Sequence, residues 1–282
     1  MIVLMIISSS GKTGEDGSVS SGCKTVGISY VFWIAGKGPM TNYRSRAYRR
    51  YENETRVDYE RLVTAYQRRL RKKIDISPVW TCLDVACGYG NFLAYLRSVG
   101  VKDFLGIDTS VPATQVAENE FGNDHVLCAD IFQYLRHTST PFQLISALDL
   151  IEHLTKEEVF QFLELTGKVQ EQGGLLLIRT PNANGLFGMA ARYADITHEV
   201  CFTAGSITDV LNSCGYRVVH IWEDVGTPVT LLQGVHWLVW RVARWIIRCV
   251  NAAETGSWGD GVLTRNMWVL ARKPLDVCTP IR

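Results

Sequence analysis

The chain is poor in the features that most readily place a protein. None of its eight cysteines forms a Cys-x-x-Cys pair. They stand singly at positions 23, 82, 87, 128, 201, 214, 249 and 278, scattered through apolar stretches. That pattern argues against a zinc site and a disulfide framework, and fits the small buried thiols of a reduced, cytoplasmic protein. No apolar run approaches the roughly 18–20 residues of a membrane-crossing helix. Neither sign of charge dominates, since 29 Lys and Arg stand against 28 Asp and Glu for a net charge of +1. A globally basic nucleic-acid coat and an acidic solvating chain are both excluded. What is present is 282 residues with 47% hydrophobic and 20% charged side chains. That is one large domain, or one domain with additions, able to bury a sizeable core.

Residues 1–39 read unlike the rest and are expected to be disordered or a non-native extension. "MIVLMII" lacks the basic flank of a signal peptide. Gly11, Lys12 and Thr13 resemble the end of a phosphate-binding loop, but Ile6 stands where its first glycine is required. Met40 opens a segment of ordinary character, so translation is expected to start there. Residues 44–73 carry eleven Lys and Arg against four Asp and Glu. Apolar residues from Val57 to Leu70 recur at helical spacing. Residues 40–76 are therefore read as a basic helical lid, either binding anions or simply solvated on its charged face.

From residue 78 short apolar runs alternate with helical segments. Strands are expected at 79–87, 103–108, 125–130, 142–150 and 174–181, and helices at 91–100, 111–122 and 155–170. Thr155 and Glu158 have the spacing of a capping box. This order predicts a doubly wound, mostly parallel α/β sheet of seven strands. A helix at 206–215 and strands at 216–223 and 262–273 complete it. The stretch 224–261 is too long for a hairpin turn and is read as a helical insertion with its own structure. The catalytic domain then spans 77–273, with a tail at 274–282.

Strand one runs into Asp84-Val85-Ala86-Cys87-Gly88-Tyr89-Gly90. Glycines at 88 and 90 allow a sharp turn and a close approach of backbone to ligand. Strand two ends in Asp108, eighteen residues after Gly90, where a carboxylate can accept both hydroxyls of a ribose. Strand three ends in Asp130 with apolar Ile131 next, a pair suited to an adenine. All three acids fall at carboxyl ends of consecutive strands, the ligand-binding edge of open α/β sheets. A nicotinamide fingerprint fails, because Leu93 occupies its third glycine. No basic residue in the turn could meet a pyrophosphate. Asp84 instead suits a cationic amino acid carrying a sulfonium, which favours S-adenosylmethionine.

"LDVACGYGNFL" resembles the first motif of class I S-adenosylmethionine-dependent methyltransferases, with Ala86 where that family has glycine. "FLGIDTS" resembles its second motif and "ALDLIEHL" its fourth. "GGLLLIRTPNANGLFG" is similar to the fifth strand of the ubiquinone-type O-methyltransferase branch. "RYADITHEVCFTAGSITDVLNSCGY" resembles bacterial methyltransferases of surface-glycan and lipid-linked sugar biosynthesis. The resemblance covers about residues 43–273. It implies a Rossmann-like methyltransferase fold. It also implies that Asp84, Gly88 and Gly90 hold the methionine part, with Ala86 in the same turn. Asp108 would hold the ribose and Asp130 with Ile131 the adenine, while Leu148 lines the sulfonium. The acceptor it implies is a small or lipid-linked glycan.

Catalytic groups are expected just past strands four and five. Glu152-His153 follows the first of these, and Asp195-Ile196-Thr197-His198-Glu199 follows the second. His198, flanked by Asp195 and Glu199, is the first choice for a general base toward a hydroxyl acceptor, and His153 the second. The same groups could instead bind a sugar or cap a helix. Pro181 and Asn182 are expected beside the cofactor, and no metal is expected.

Six of the eight tryptophans lie after residue 221. Within 235–250, Arg241, Arg244 and Arg248 share an arc of about 60° on a helical wheel, with Trp240, Val242, Trp245, Ile246, Cys249 and Val250 over much of the rest. Such a helix suits a membrane interface, and equally packing on the domain or in an oligomer. Two other methyltransferase readings stay open, transfer to nitrogen or carbon and a non-catalytic cofactor-binding subunit. No nucleic-acid partner is expected. No RNA-binding module is recognisable, and "LDLIEH" stands where an Asn-Pro-Pro-aromatic tetrapeptide would mark amino-group methylation.

Overall fold

Strand β1 (Thr81–Val85) lies in the interior of the sheet because its TCLDV sequence is apolar enough to be covered on both faces. The structure, a computed structural model, describes residues 57–273. The readings made for residues 1–39, for the start of the basic segment and for 274–282 lie outside them. Six further strands follow: β2 (Asp103–Asp108), β3 (Val126–Cys128), β4 (Phe142–Leu148), β5 (Gln170–Pro181), β6 (Arg217–Glu223) and β7 (Asn266–Arg272). They form one seven-stranded sheet in the order β3-β2-β1-β4-β5-β7-β6. Only β7 runs antiparallel, between β5 and β6. This is the doubly wound α/β sheet that the alternation predicts.

The helices are α1 (Tyr59–Leu70), α2 (Asn91–Ser98), α3 (Val111–Phe121), α4 (Ile131–His137), α5 (Lys156–Val169), α6 (Gly188–Arg192), α7 (Ala204–Ser213) and α8 (Leu231–Thr255). The expected capping box forms at α5. Thr155 Oγ1 accepts from the Glu158 N–H at 3.2 Å, and the Glu158 carboxylate accepts from the Thr155 N–H at 2.9 Å. Such reciprocal caps satisfy two N–H groups that the helix leaves unbonded. Two short helices depart from the expected pattern. α4 and α6 have seven and five residues, too few for a periodic signal, and the sequence reading passed over both.

Two apolar clusters sandwich the sheet. α4, α5 and α7 cover one face through residues such as Leu135, Phe162 and Leu211. On the other face Leu70, Phe92, Leu96 and Phe121 come from α1, α2 and α3. The described part of the basic segment, α1, is therefore docked on its apolar side. Tyr66 of α1 sits 5.4 Å from Phe92, 5.7 Å from Tyr95 and 6.3 Å from Trp268, ring centre to ring centre.

The insertion contains the 25-residue α8, begun by Thr230 as N-cap and closed by Gly256. No residue of α8 is fully buried. Among the described residues no helix is long and apolar enough to cross a membrane.

Candidate functional site

The carboxyl edge of the sheet carries two adjoining groups of polar residues. The first is the turn after β1. Ala86, Gly88 and Gly90 all take positive φ, at 58°, 52° and 77°. A left-handed alanine costs roughly 1–2 kcal/mol, so the residue that departs from the family motif keeps the motif's backbone under strain. A side chain at Gly90 would lie 2.5 Å from the Phe121 ring, whereas one at Gly88 would meet nothing within 4 Å. Gly88 thus faces open space, as a cradle for a ligand requires. Asp108 fixes this loop. Its Oδ2 accepts from the Gly88 N–H and its Oδ1 from the Ser110 N–H, each at 2.8 Å.

Asp84 lies beneath the loop, its Oδ1 accepting from Ser146 Oγ at 2.6 Å. Burial pushes its carboxyl up to about 7, against the pull of the Ser146 hydrogen bond. Asp130 caps α4, accepting from the Gln133 N–H at 2.9 Å, and Ile131 packs within the core. Leu148 closes β4, half-buried at the edge. The sequence reading missed Asn91, the first residue of α2. Its Oδ1 is buried and has no hydrogen-bond donor, an acceptor waiting beside the glycine turn. Tyr59 of α1 reaches the same turn, donating to the Tyr89 carbonyl at 2.8 Å.

The second group lies past β4 and β5. Glu152 is 1% exposed, and its carboxylate accepts from Thr180 Oγ1 at 3.1 Å. Burial, with Asp149 nearby, raises its carboxyl to about 8. Its backbone carbonyl accepts from the Glu199 and Val200 N–H groups at 2.7 and 3.2 Å, tying the loop after β5 to the end of β4. His153 Nδ1 stands 2.8 Å from Thr197 Oγ1, which donates to Asp195 Oδ1 at 2.8 Å. A hydroxyl whose proton is committed to a carboxylate accepts from the imidazole. His153 therefore carries a proton on Nδ1.

His198 packs edge-on to His153, with ring centres 4.7 Å apart. Its Nδ1 lies 3.1 Å from the Arg192 carbonyl, which can only accept. His198 too carries its proton on Nδ1, leaving a lone pair on Nε2. This corrects one expectation. The flanking carboxylates do not orient His198. Asp195 turns onto Thr197 and acts on His153, while a main-chain carbonyl orients His198. Burial raises the Asp195 carboxyl, but the Thr197 N–H and hydroxyl outweigh it, and the result lies below the ordinary value. Glu199 contributes main-chain bonds, donating to Glu152 and accepting from Arg192 at 3.2 Å.

Glu152, His153 and His198 bring one ligand atom each within 4.8 Å of one another, a set that could hold a divalent cation. Asn182 is buried and donates to the Val262 and Thr264 carbonyls at 2.8 and 3.1 Å, fastening the loop after β5 to the segment that returns from α8. Sequence reasoning also missed Asp224. It accepts from Arg69 of α1 at 2.6 Å, from Arg179 of β5 at 3.2 Å and from the Trp268 indole of β7 at 2.8 Å. Nothing in the spacing of those four residues foretells the junction, because it joins elements 44 to 155 positions apart.

Comparison with known proteins fits this geometry. The profile of a family described as a methyltransferase domain matches residues 46–221. A probable fatty acid methyltransferase of Mycobacterium tuberculosis is 26% identical over 239 residues, covering 70% of this chain and 55% of that protein. The chain thus spans about half the length of the curated relative it matches. Among solved structures, a SAM-dependent methyltransferase from Archaeoglobus fulgidus superposes with a TM-score of 0.57 at 21% identity, covering 80% of this chain and 99% of that one. The N-methyltransferase NodS from Bradyrhizobium japonicum, in complex with S-adenosyl-L-homocysteine, gives 0.51 at 15% identity, covering 82% and 99%. At these identities the likeness shows a shared fold.

Proposed function

The chain belongs to the methyltransferase-domain family, and we propose that it transfers a methyl group from S-adenosylmethionine to an oxygen of a small or lipid-linked glycan-type acceptor. The residues of the first group fit that cofactor. Gly88 faces open space, Asp108 holds the turn rigid, and the orphan oxygen of Asn91 would take a cationic donor such as the α-ammonium. Asp130 and Ile131 would hold the adenine side and Leu148 the approach to the sulfonium. When bound, the cofactor supplies an electrophilic methyl on an already activated sulfur.

What remains for the protein is positioning and one proton. Orientation of two reactants can supply up to about 7–11 kcal/mol. The observation that carries the choice of oxygen is the His198–Arg192 hydrogen bond. In the neutral imidazole it puts the proton on Nδ1, so that Nε2 is the atom to take the proton of an acceptor hydroxyl, a contribution of about 10²–10⁴ in rate. His153, linked through Thr197 to Asp195, packs against its ring. The loop after β5 exposes Leu186, Phe187, Met189, Tyr193 and Ile196. An apolar rim of this size on the acceptor side favours a lipid-linked substrate over a free sugar.

A second reading rests on the same rim and on the relative named as a fatty acid methyltransferase. In it the methyl goes to a carbon of an acyl chain. The test is incubation of the full chain with methyl-labelled S-adenosylmethionine and, separately, simple glycans, lipid-linked glycans and phospholipids. Mass spectrometry then locates the label. A methyl ether on a glycan is the expected product. Label on an amine or acyl carbon would replace it with the nitrogen or carbon alternative. Cofactor binding without transfer to any acceptor would make the chain a binding subunit.

A further inference from the structure

α8 presents a face with nothing on it. Leu231, Val235, Leu238, Val242, Trp245 and Ile246 fall within an arc of about 100°, and no charged residue shares that arc. All six are exposed, from 88% for Leu231 to 50% for Val235. From Leu231 to Ile246 the face is roughly 23 Å long. Soluble monomers rarely leave such a continuous apolar strip open to water.

One flank of the strip is cationic. Arg241, Arg244 and Arg248 follow one another along its edge and, with Trp245 and Trp258, line a hollow of about 130 Å³ that has no acid in its wall. Arg244 and Arg248 are held in place by the Gly261 and Trp258 carbonyls, at 2.8 and 3.1 Å. A larger groove of about 380 Å³ runs between α1, β6 and α8. Arg68, Arg69, Lys72, Lys73, Arg241 and Arg244 line it, against the acids Glu223 and Asp260. Two residues of its wall, Trp222 and Trp240, carry buried indole N–H groups with no acceptor. Arg69 and Arg244 are paired with Asp224 and Glu223, and the other four cations with the two orphan donors suit an anion.

We propose that α8 lies in the surface of an anionic phospholipid membrane, its apolar face in the acyl boundary and lipid phosphates in the Arg–Trp hollow and the α1–α8 groove. Apolar insertion beside Trp and Arg at headgroup depth is the arrangement of an interfacial helix. A second copy packed antiparallel over α8 fits less well, since that two-fold contact would bring both rows of arginine together. The placement is also useful to the site. β6 ends and β7 begins at the carboxyl edge of the sheet, so α8 leaves and returns beside the acceptor loop. Leu186 of that loop donates to the Leu263 carbonyl at 3.1 Å, and Asn184 donates to Asp260 at 3.2 Å. The membrane-bound helix and the exposed apolar rim would thus face the same surface. The inference does not rest on the methyl-transfer reading, only on the surface of α8.

The experiment is sedimentation of the full chain with vesicles of phosphatidylcholine alone or mixed with phosphatidylglycerol, at low and high salt. Wild type is expected to pellet with the anionic vesicles and to be released by salt. Leu238→Glu combined with Val242→Glu should abolish pelleting. Lys72→Ala and Arg241→Ala should each weaken it about five-fold. Calorimetric titration of S-adenosylmethionine without vesicles should be unchanged by the double glutamate variant, which shows that it folds and separates this test from the methyl-transfer reading. Absence of binding at low salt would overturn the proposal. So would a wild-type dimer that the glutamate pair makes monomeric with no vesicle binding in either form. Release from vesicles by inorganic phosphate at constant ionic strength would assign the groove to a free anion and overturn the lipid assignment.

Discussion

The carboxylate of Asp108 and the main-chain N–H of Gly88, twenty residues apart, meet at 2.8 Å. The acid at the end of β2 thereby sets the turn at the end of β1. Asp108→Ala removes this bond and the one to Ser110 together. Hydrogen bonds to a charged group contribute about 1.5–3 kcal/mol each. The affinity for S-adenosylmethionine should therefore fall at least about ten-fold, read by calorimetric titration. An unchanged affinity would remove Asp108 from the cofactor site.

Ala86 holds a backbone that glycine adopts without cost. Ala86→Gly relieves that strain but loosens the unfolded chain, and the strain is the larger of the two. The variant should gain about 0.5–1 kcal/mol in stability, seen as a higher denaturation midpoint with an unchanged slope. Ala86→Val should lose more than that, because a branched side chain in this region clashes with its own backbone.

Asp84 titrates near 7 when folded, against an ordinary value of 3.8, chiefly because it is buried. A folded state that binds its proton more tightly than the unfolded state loses stability as pH rises between those two values. Each unit is worth about 1.4 kcal/mol. Asp84→Asn keeps the bond from Ser146 and carries no charge. Its stability relative to wild type should rise from about pH 4 to about pH 7 and then level off. Thermal melts of both proteins across that range would show it, and parallel curves would refute it.

His198→Ala should lower kcat by about 10²–10⁴ and leave the affinity for S-adenosylmethionine unchanged. Thr197→Val, which breaks the link from Asp195 to His153, should lower kcat less and shift the pH–rate profile. With His198 as the base, a chelator should not change the rate. Loss of activity in the chelator, restored by one divalent ion, would instead assign Glu152, His153 and His198 to a cation.

The sequence carries the sheet well because its information there is local. "DFLGID" and "FQLISALDL" are mostly apolar runs with an acid at or next to their ends, Asp108 and Asp149, and each holds a buried parallel strand. The turn with Gly88 and Gly90, the acid at Asp108 and the histidines at 153 and 198 are legible for the same reason, a residue type at a fixed place after a strand. The partners of those residues are not legible. That Asp195 turns to Thr197 and not to His198 depends on the backbone path of a short loop. The junction at Asp224 needs α1, β5 and β7 already assembled. Asn91 looks like an ordinary first residue of a helix until its oxygen is found buried without a donor.

The reversed strand β7 has a consequence for how such a chain can change. Because β6 exits and β7 enters side by side, everything between Asp224 and Arg265 is a loop hung from two neighbouring anchor points. A longer helix, a shorter one or a different fold could be exchanged there with the seven strands left in register. The sheet would keep its chemistry while the hanging segment decided which surface, and so which substrates, it was brought to.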